Sequence, residues 1–582
     1  MSKKEKYSKN TRRLLFKLAG KIKYDLLIGI ILSTSFMLLN VYSPIVLKNI
    51  IDNEIDAKIG IINLKSFFSM AALYLFVTIT SGVMEFVHIR HYKKTSNKVG
   101  FILRRDMFSH VMDLPMSFFD TTAVGKITSR ITSDVNELKQ LFYIGFTTAF
   151  NTFLFLIGSI VYIALTVPKA LYIVLIPIPL FVIMVISYNK YQSNLNIKYR
   201  KTKSIITSNL NEIIKGTNII QAYAVCDPVE VEFINDNDKL YKYGKKIELF
   251  DSFFSYNITD MLRLISTIAI LYFAGMSHLN GNKNFTIGYI IILIQYTGQI
   301  YDYLTRLMNR LNIFEKGMIS LQHINEILEE KIECDGNIEV DKIIGDVEFK
   351  NVSHQYIENN PVLKDISFKR KHGTSTALVG STGSGKSSII SLLFKFYTPY
   401  KGEILIDGIN INKIKTSSLR KNMAMVLQDP VLFKGSLRYN IALGENYSDD
   451  EIKEALITSG GKNILEKLKD GLDTNLLGED GGLSLGEKQI INFARTIIRD
   501  PKILVLDEAT ASIDTETEQY IQQGLDALMK GRTSFIVAHR LSTIQNCDSI
   551  MVLEKGKIIE SGTHDELIEL GEKYYELANA QN

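Results

Sequence analysis

Apolar positions are spread unevenly along this chain. Through residue 310 they form long unbroken stretches, and after residue 345 short ones separated by polar turns. Six stretches free of Asp, Glu, Lys and Arg occupy 26–47, 66–84, 141–168, 170–189, 264–282 and 284–301. Their lengths are 22, 19, 28, 20, 19 and 18 residues. These approach or exceed the ~18–20 residues that carry a helix across a bilayer. One such run fits a buried core helix, but six cannot share one soluble core. The pattern predicts six transmembrane helices and excludes a wholly soluble protein.

Polar segments between the runs set an orientation. Residues 3–23 hold nine Lys or Arg against Glu5 alone. Alternating with Leu14, Leu15, Leu18 and Ile22, they resemble an amphipathic helix on a membrane surface, a solvated basic tail being the other reading. The positive-inside rule makes this end cytoplasmic. Segments 91–140 and 190–250 carry eight and ten basic residues, whereas 276–285 carries one. The basic loops are thus the cytoplasmic ones. They hold one proline each, Pro115 and Pro228. Unstructured loops of that length are uncommon, so both are expected to be helices running into the cytoplasm, with tips near 114–123 and 223–229.

From Val347 the period changes. Short apolar runs at 347–352, 376–379, 402–406, 423–427, 503–506 and 534–538 alternate with helical patterns. This predicts an α/β domain with a largely parallel sheet. The expected domains are a transmembrane domain over 1–330, a polar linker over 331–345, and a second domain over 346–582.

Composition changes the picture little. The chain has 582 residues, 46% hydrophobic and 22% charged, and its mean hydropathy of +0.07 hides the concentration of apolar residues in one half. Net charge is +5, from 67 basic and 62 acidic residues, too mild to suggest nucleic acid. Cys226, Cys334 and Cys547 are far apart and form no metal or redox pattern. The first apolar run is too long for a cleavable signal peptide.

Candidate chemistry lies in the second half. Gly380, Ser381, Thr382, Gly383, Ser384, Gly385, Lys386 and Ser387 fit G-x-x-x-x-G-K-[ST], between an apolar strand at 377–379 and a helix expected over 388–393, opening at Ser388. That context defines a phosphate loop. Glycines let backbone amides curl around phosphate oxygens and the helix N-terminus adds its dipole. Lys386 would reach the β- and γ-phosphates of ATP, and the Ser387 hydroxyl would ligate Mg²⁺. At 502–508 an apolar strand ends in Asp507 and Glu508, 121 residues past Lys386 in the case of Asp507. Asp507 suits the Mg²⁺ shell and Glu508 the polarisation of an attacking water.

With these motifs the whole chain resembles the ATP-binding cassette exporters that fuse six helices to one cassette. The resemblance implies an ATP hydrolase coupled to transport, in the cell membrane, with both the N-terminus and the cassette cytoplasmic. Tyr356, 24 residues before Gly380, matches the aromatic that stacks on adenine. Gln428 in Val-Leu-Gln-Asp-Pro matches the Q-loop that touches Mg²⁺. His539 matches the switch histidine at the γ-phosphate, and Asp514 the D-loop at the cassette–cassette interface. Leu-Pro-Met-Ser-Phe-Phe-Asp at 114–120 and Gly-Lys-Ile-Thr-Ser-Arg at 125–130 look like the first coupling loop.

One motif departs from the family. Where the signature reads LSGGQ, this chain has Leu483, Ser484, Leu485, Gly486 and Glu487. In the family this segment caps the γ-phosphate held by the opposite cassette. Leu485 puts a side chain where backbone should approach, and Glu487 a carboxylate near a polyanion, at a cost of ~1 kcal/mol at 4 Å in water and more in a closed site. Ser484 and Gly486 remain as phosphate contacts. The resemblance favours a heterodimer whose partner has an intact signature; a homodimer that tolerates the variant is the alternative. The cargo expected from the family is an amphipathic small molecule, with lipid or peptide as runner-up. An importer on the exporter fold would share every motif.

Charges also occur in the first half. Glu85 lies near the end of the second run. Asp260 and Arg263 are spaced i,i+3, and Asp302 and Arg306 i,i+4, so each pair is expected to share a helix face and offset its own charge, substrate contact being the other reading. Gln295, Tyr296, Gln299 and Tyr303 form a stripe expected to face either a central cavity or a partner subunit.

Overall fold

The computed structural model describes residues 13–55, 64–252, 258–279, 286–333, 335–468, 470–476, 482–507, 515–537 and 544–579. The chain divides into two compact units, residues 1–112 with 123–330, and residues 113–122 with 331–582.

The first unit is helical. Its main helices are α1 (Lys23–Ile50) and α2 (Leu64–Met112). Residues 124–166 are helical throughout, including α3 (Val135–Ile144), a π-helical turn at Gly145–Phe150 and α4 (Asn151–Thr166). Then come α5 (Pro177–Lys215), α6 (Cys226–Ser252), α7 (Ile258–Leu279) and α8 (Ile287–Leu328). The 49 residues of α2 make a rod of roughly 74 Å at 1.5 Å per residue, far longer than the ~30 Å hydrocarbon layer. The long basic segments are therefore continuations of spanning helices. The second of them turns back at 223–225, between Thr217–Ala222 and α6.

Five helices among the described residues are long and apolar enough to cross a membrane. The sixth expected crossing falls on α8, a continuous helix of 42 residues that is not among these five; its uncharged run, 284–301, begins outside the described residues. Only 6% of the apolar window of α2 is buried within the chain. Such a face requires lipid or another protein against it.

The core of this unit joins α1, α4 and α8 through Phe36, Phe155, Ile292, Tyr296 and Ile300. Tyr296 is fully buried and its hydroxyl donates to the Val41 carbonyl at 2.6 Å. It packs edge-on against Phe155 and Tyr162. Tyr296 thus serves its own bundle, where the sequence pattern suggested a cavity or a partner. The expected same-helix charge pairs are also replaced. Arg263 reaches across from α7 to Asp302 on α8 at 3.5 Å, while Arg306 lies 5.5 Å from the Tyr303 ring.

The second unit contains two sheets. A four-stranded antiparallel sheet has the order β2 (Asn360–Arg370), β1 (Val347–Ile357), β4 (Lys401–Ile406), β5 (Ile409–Asn410). A six-stranded sheet has the order β10 (Lys557–Gly562), β9 (Ser549–Glu554), β3 (Ser375–Val379), β8 (Thr533–Val537), β7 (Ile503–Asp507), β6 (Met423–Val426). All its pairings are parallel except β10 with β9. Period-two alternation divides its two faces. Ala377, Leu504, Leu506, Ile536 and Ile550 belong to one core, and Leu378, Ile503, Val505, Phe535 and Met551 to the other. The strands at 347–352 and 402–406 fall in the antiparallel sheet, a division that sequence alternation does not encode.

Asp407 accepts backbone hydrogen bonds from Ile344, Gly345 and Asp346 at 2.7, 3.0 and 2.8 Å and so fastens the segment leading into β1. Arg420 forks onto Glu333 at 2.7 and 3.1 Å. Residues 113–122 group with this unit, where the Tyr397 hydroxyl donates to the Asp120 carboxylate.

Candidate nucleotide site

Strand β3 runs into Gly380 and a turn that ends at α9 (Lys386–Leu393). The turn depends on its glycines. Gly380 has φ +152°, and a Cβ there would meet the Leu553 carbonyl oxygen at 2.3 Å. Gly385 has φ +110°, and its Cβ would strike the Leu363 side chain at 2.6 Å. Gly385 is also the N-cap of α9 and supplies no side-chain cap. The N-terminus of α9 therefore receives no side-chain cap from its own N-cap residue, and the positive end of the helix dipole lies there.

Polar groups in the turn fit the same anion. The Lys386 ammonium is held at the loop by the carbonyls of Gly380 and Ser381, at 2.6 and 3.2 Å. Ser384 is 2% exposed, and its hydroxyl has no hydrogen-bond partner among the described residues. An orphaned buried hydroxyl is costly, and a phosphate oxygen would satisfy it. Ser387 is exposed at the head of the helix, whereas Ser388 is buried and receives the Tyr356 hydroxyl at 3.1 Å. The Tyr356 ring is 47% exposed, leaving a face for a flat ligand. It packs edge-on against the buried His354 and against Tyr397, with ring centroids 4.8 and 4.9 Å away.

Parallel pairing brings distant motifs to one edge. Leu378 and Asp507 both pair with Val537, and Leu506 pairs with Val426. The phosphate loop, Asp507 and the turn bearing Gln428 therefore all leave the sheet at its carboxyl edge, where open α/β sheets bind ligands. Gln428 is exposed in that turn. Glu508 follows β7 directly and His539 is two residues past the end of β8, but they, like Asp514, lie outside the described residues.

The variant signature has a geometry of its own. Ser484 is the N-cap of α10 (Leu485–Ile497), and Glu487 closes a capping box with it. The Ser484 N–H donates to the Glu487 carboxylate at 2.7 Å, and the Glu487 N–H to the Ser484 hydroxyl at 3.2 Å. Lys467 then pairs with the same carboxylate at 2.9 Å and donates to the Gly482 carbonyl at 3.1 Å. Glu487 is tied back to its own helix, with its charge offset. Leu485 projects outward, 43% exposed, and Gly486 is buried. Sequence reading missed Lys467, because nothing local links it to a residue 20 positions away. It also missed Gln489, which donates from α10 to the Leu427 carbonyl at 3.3 Å.

Known proteins fit these observations. Residues 26–304 match the transmembrane region of ABC transporters, and residues 363–511 match the ABC transporter family. A probable multidrug resistance ABC transporter ATP-binding/permease protein of Bacillus subtilis is 37% identical over 500 residues, 85% of this chain and 74% of the relative. An ATP-dependent lipid A-core flippase of Mannheimia succiniciproducens is 31% identical, across 95% of each chain. The structure of a bacterial Atm1-family ABC exporter with ATP bound superposes with a TM-score of 0.80 over 96% of this chain and 99% of the other. At 23% identity that likeness is one of fold.

Proposed function

The chain belongs to the ABC transporter family, and from that premise we propose that it exports amphipathic or hydrophobic compounds by alternating access, as one half of a heterodimer. It is a multi-pass membrane protein with a fused ATP-hydrolysing domain. The observation that carries the hydrolytic half is the glycine-built phosphate loop, with its uncapped helix terminus and orphaned Ser384 hydroxyl. Support for the cargo class comes from relatives named for multidrug resistance and for lipid A-core flipping.

In this reading residues 1–330 form the transmembrane domain, 331–345 the linker and 346–582 the cassette, with the N-terminus and cassette in the cytoplasm. Tyr356 stacks on adenine. Gly380 to Gly385 wrap the phosphates with their amides, and Lys386 offsets their charge. Ser387, Asp507 and Gln428 supply oxygen ligands suited to Mg²⁺, which neutralises charge on the phosphates. Glu508 polarises the attacking water, His539 contacts the γ-phosphate, and Asp514 meets the second cassette. Ser484 and Gly486 face the nucleotide of the partner.

The asymmetric assembly rests on the signature. Leu485 stands out at the head of α10, and the capping box occupies the terminus that would otherwise point at phosphate. A partner with an unmodified signature completes the site on this chain, while this chain caps a weaker site on the partner. The test is steady-state ATP hydrolysis of this chain purified alone and co-expressed with a neighbouring half-transporter, with Glu508→Gln as control in each. Activity that is weak alone and strong together, and lost with Glu508→Gln, supports the heterodimer. Full Glu508-dependent activity alone establishes the homodimer.

A further inference from the structure

The helical unit forms a half-open cavity of about 580 Å³ among α1, α2, α8 and the residues joining α3 to α4, a size that suits a small ligand. It lies where the uncharged runs of α2 and α8 end, at Met84 and Tyr301. One wall is the π-helical turn Gly145–Phe150, which turns Thr147 and Thr148 toward the cavity. Such turns are rare and concentrate at functional sites.

A buried polar pair lies beside it. Asn151 is 2% exposed, and its amide donates to the Thr147 carbonyl and to His88 Nε2, both at 3.1 Å. His88 Nδ1 lies 3.3 Å from the Met84 carbonyl oxygen, so the network assigns its proton to Nδ1. Asn151 Oδ1 remains a buried acceptor with no partner among the described residues. Glu85 lies one helical turn before His88. Two cations, Arg306 and Arg310, complete the lining. Among the described residues, none of Glu85, Arg306 and Arg310 has an ion pair.

Neighbouring contacts fix the levels of these groups. Phe36 stacks on His88 at 4.9 Å, and Tyr303 reaches Met37 on the same α1 turn at 3.9 Å. Tyr303 is therefore level with His88 and Asn151. Arg310 is seven residues further along α8, about 10 Å away. The cavity has an acceptor end, with Glu85 and Asn151 Oδ1, and a guanidinium end. Phe36, Ile89 and Ile144 supply apolar walls.

We propose that this cavity binds a zwitterionic amphiphile. Its ammonium donates to Glu85 and Asn151, and its phosphate or carboxylate lies on Arg306 and Arg310. The inference rests on the export reading only in making this ligand a cargo, so binding is measured apart from transport.

The chain contains no tryptophan, and Tyr143→Trp puts a fluorescent reporter in the cavity wall. The assembled transporter, in nanodiscs without ATP, is titrated with three twelve-carbon probes: lysophosphatidylethanolamine, lysophosphatidylglycerol and dodecylamine. The zwitterion should bind about tenfold more tightly than either singly charged probe. Glu85→Gln should abolish its advantage over lysophosphatidylglycerol. Arg306→Gln with Arg310→Gln should weaken both phosphates and spare dodecylamine, and the paired Lys variants should restore binding. Equal binding of all three probes, or an order unchanged by these variants, overturns the site. Binding without stimulation of ATP hydrolysis marks a resident lipid and overturns the cargo assignment.

Discussion

Two helix N-termini in the cassette are built in opposite ways. At α9 the N-cap is Gly385, in a left-handed conformation and with no side chain to offer. At α10 the N-cap is Ser484, whose hydroxyl and amide are both engaged by Glu487, itself held by Lys467. One terminus gets no side-chain cap from its N-cap residue, and the other is closed by a capping box drawn from its own sequence. A helix dipole alone therefore does not make a phosphate site; the capping residue decides whether the site is open.

The sharpest way to break the contrast is to disable the open terminus. Lys386→Ala should lower ATP hydrolysis by roughly 100-fold or more, the usual effect of removing one preorganised stabilising group; a phosphate-release assay on the assembled transporter checks it. Tyr356→Ala should weaken ATP binding by about tenfold, since base stacking contributes ~1–3 kcal/mol. Equilibrium binding of a fluorescent ATP analogue measures it, and Tyr356→Phe, which keeps the ring, should retain most of the affinity.

The reverse manipulation opens the closed terminus. Leu485→Gly with Glu487→Gln should raise hydrolysis by the chain purified alone by about fivefold, the equivalent of ~1 kcal/mol of relieved repulsion. No increase would show that Lys467 already neutralises Glu487 fully. Lys467→Met in the wild-type background should move activity the other way.

The smallest expected effect is on stability. Burial holds the His354 imidazole below its usual pKa of 6.5. The folded state then binds fewer protons than the unfolded chain. The resulting stability is fully present above pH ~6.5 and is lost progressively as pH falls below it toward the folded value. The thermal midpoint of the purified transporter should decline over that window, and His354→Phe should flatten the decline.

Much of this was legible in advance because it is local. The phosphate loop is contiguous, so its glycines, lysine and serines announce the turn that β3 and α9 make. The uncharged runs announce spanning helices because lipid excludes charge over a fixed length. Asp507 was legible as the polar end of a buried strand. Tyr356 was placed by resemblance, but its bond to Ser388 was not visible. The same-helix charge pairs failed because Arg263 found a partner on α8 within reach of its long side chain.

By itself, then, the sequence determined the membrane runs, the two-part organisation, and the order of phosphate-loop and acidic-strand motifs along the chain. These depend on composition and spacing within a few consecutive residues. Tertiary structure alone decided that β3, β7 and β8 are neighbours, that Lys467 offsets Glu487, and that Glu85, Asn151 and Arg310 line one cavity. Those juxtapositions join residues 20 to more than 200 positions apart. They are set by which faces pack together, and no local periodicity records that choice.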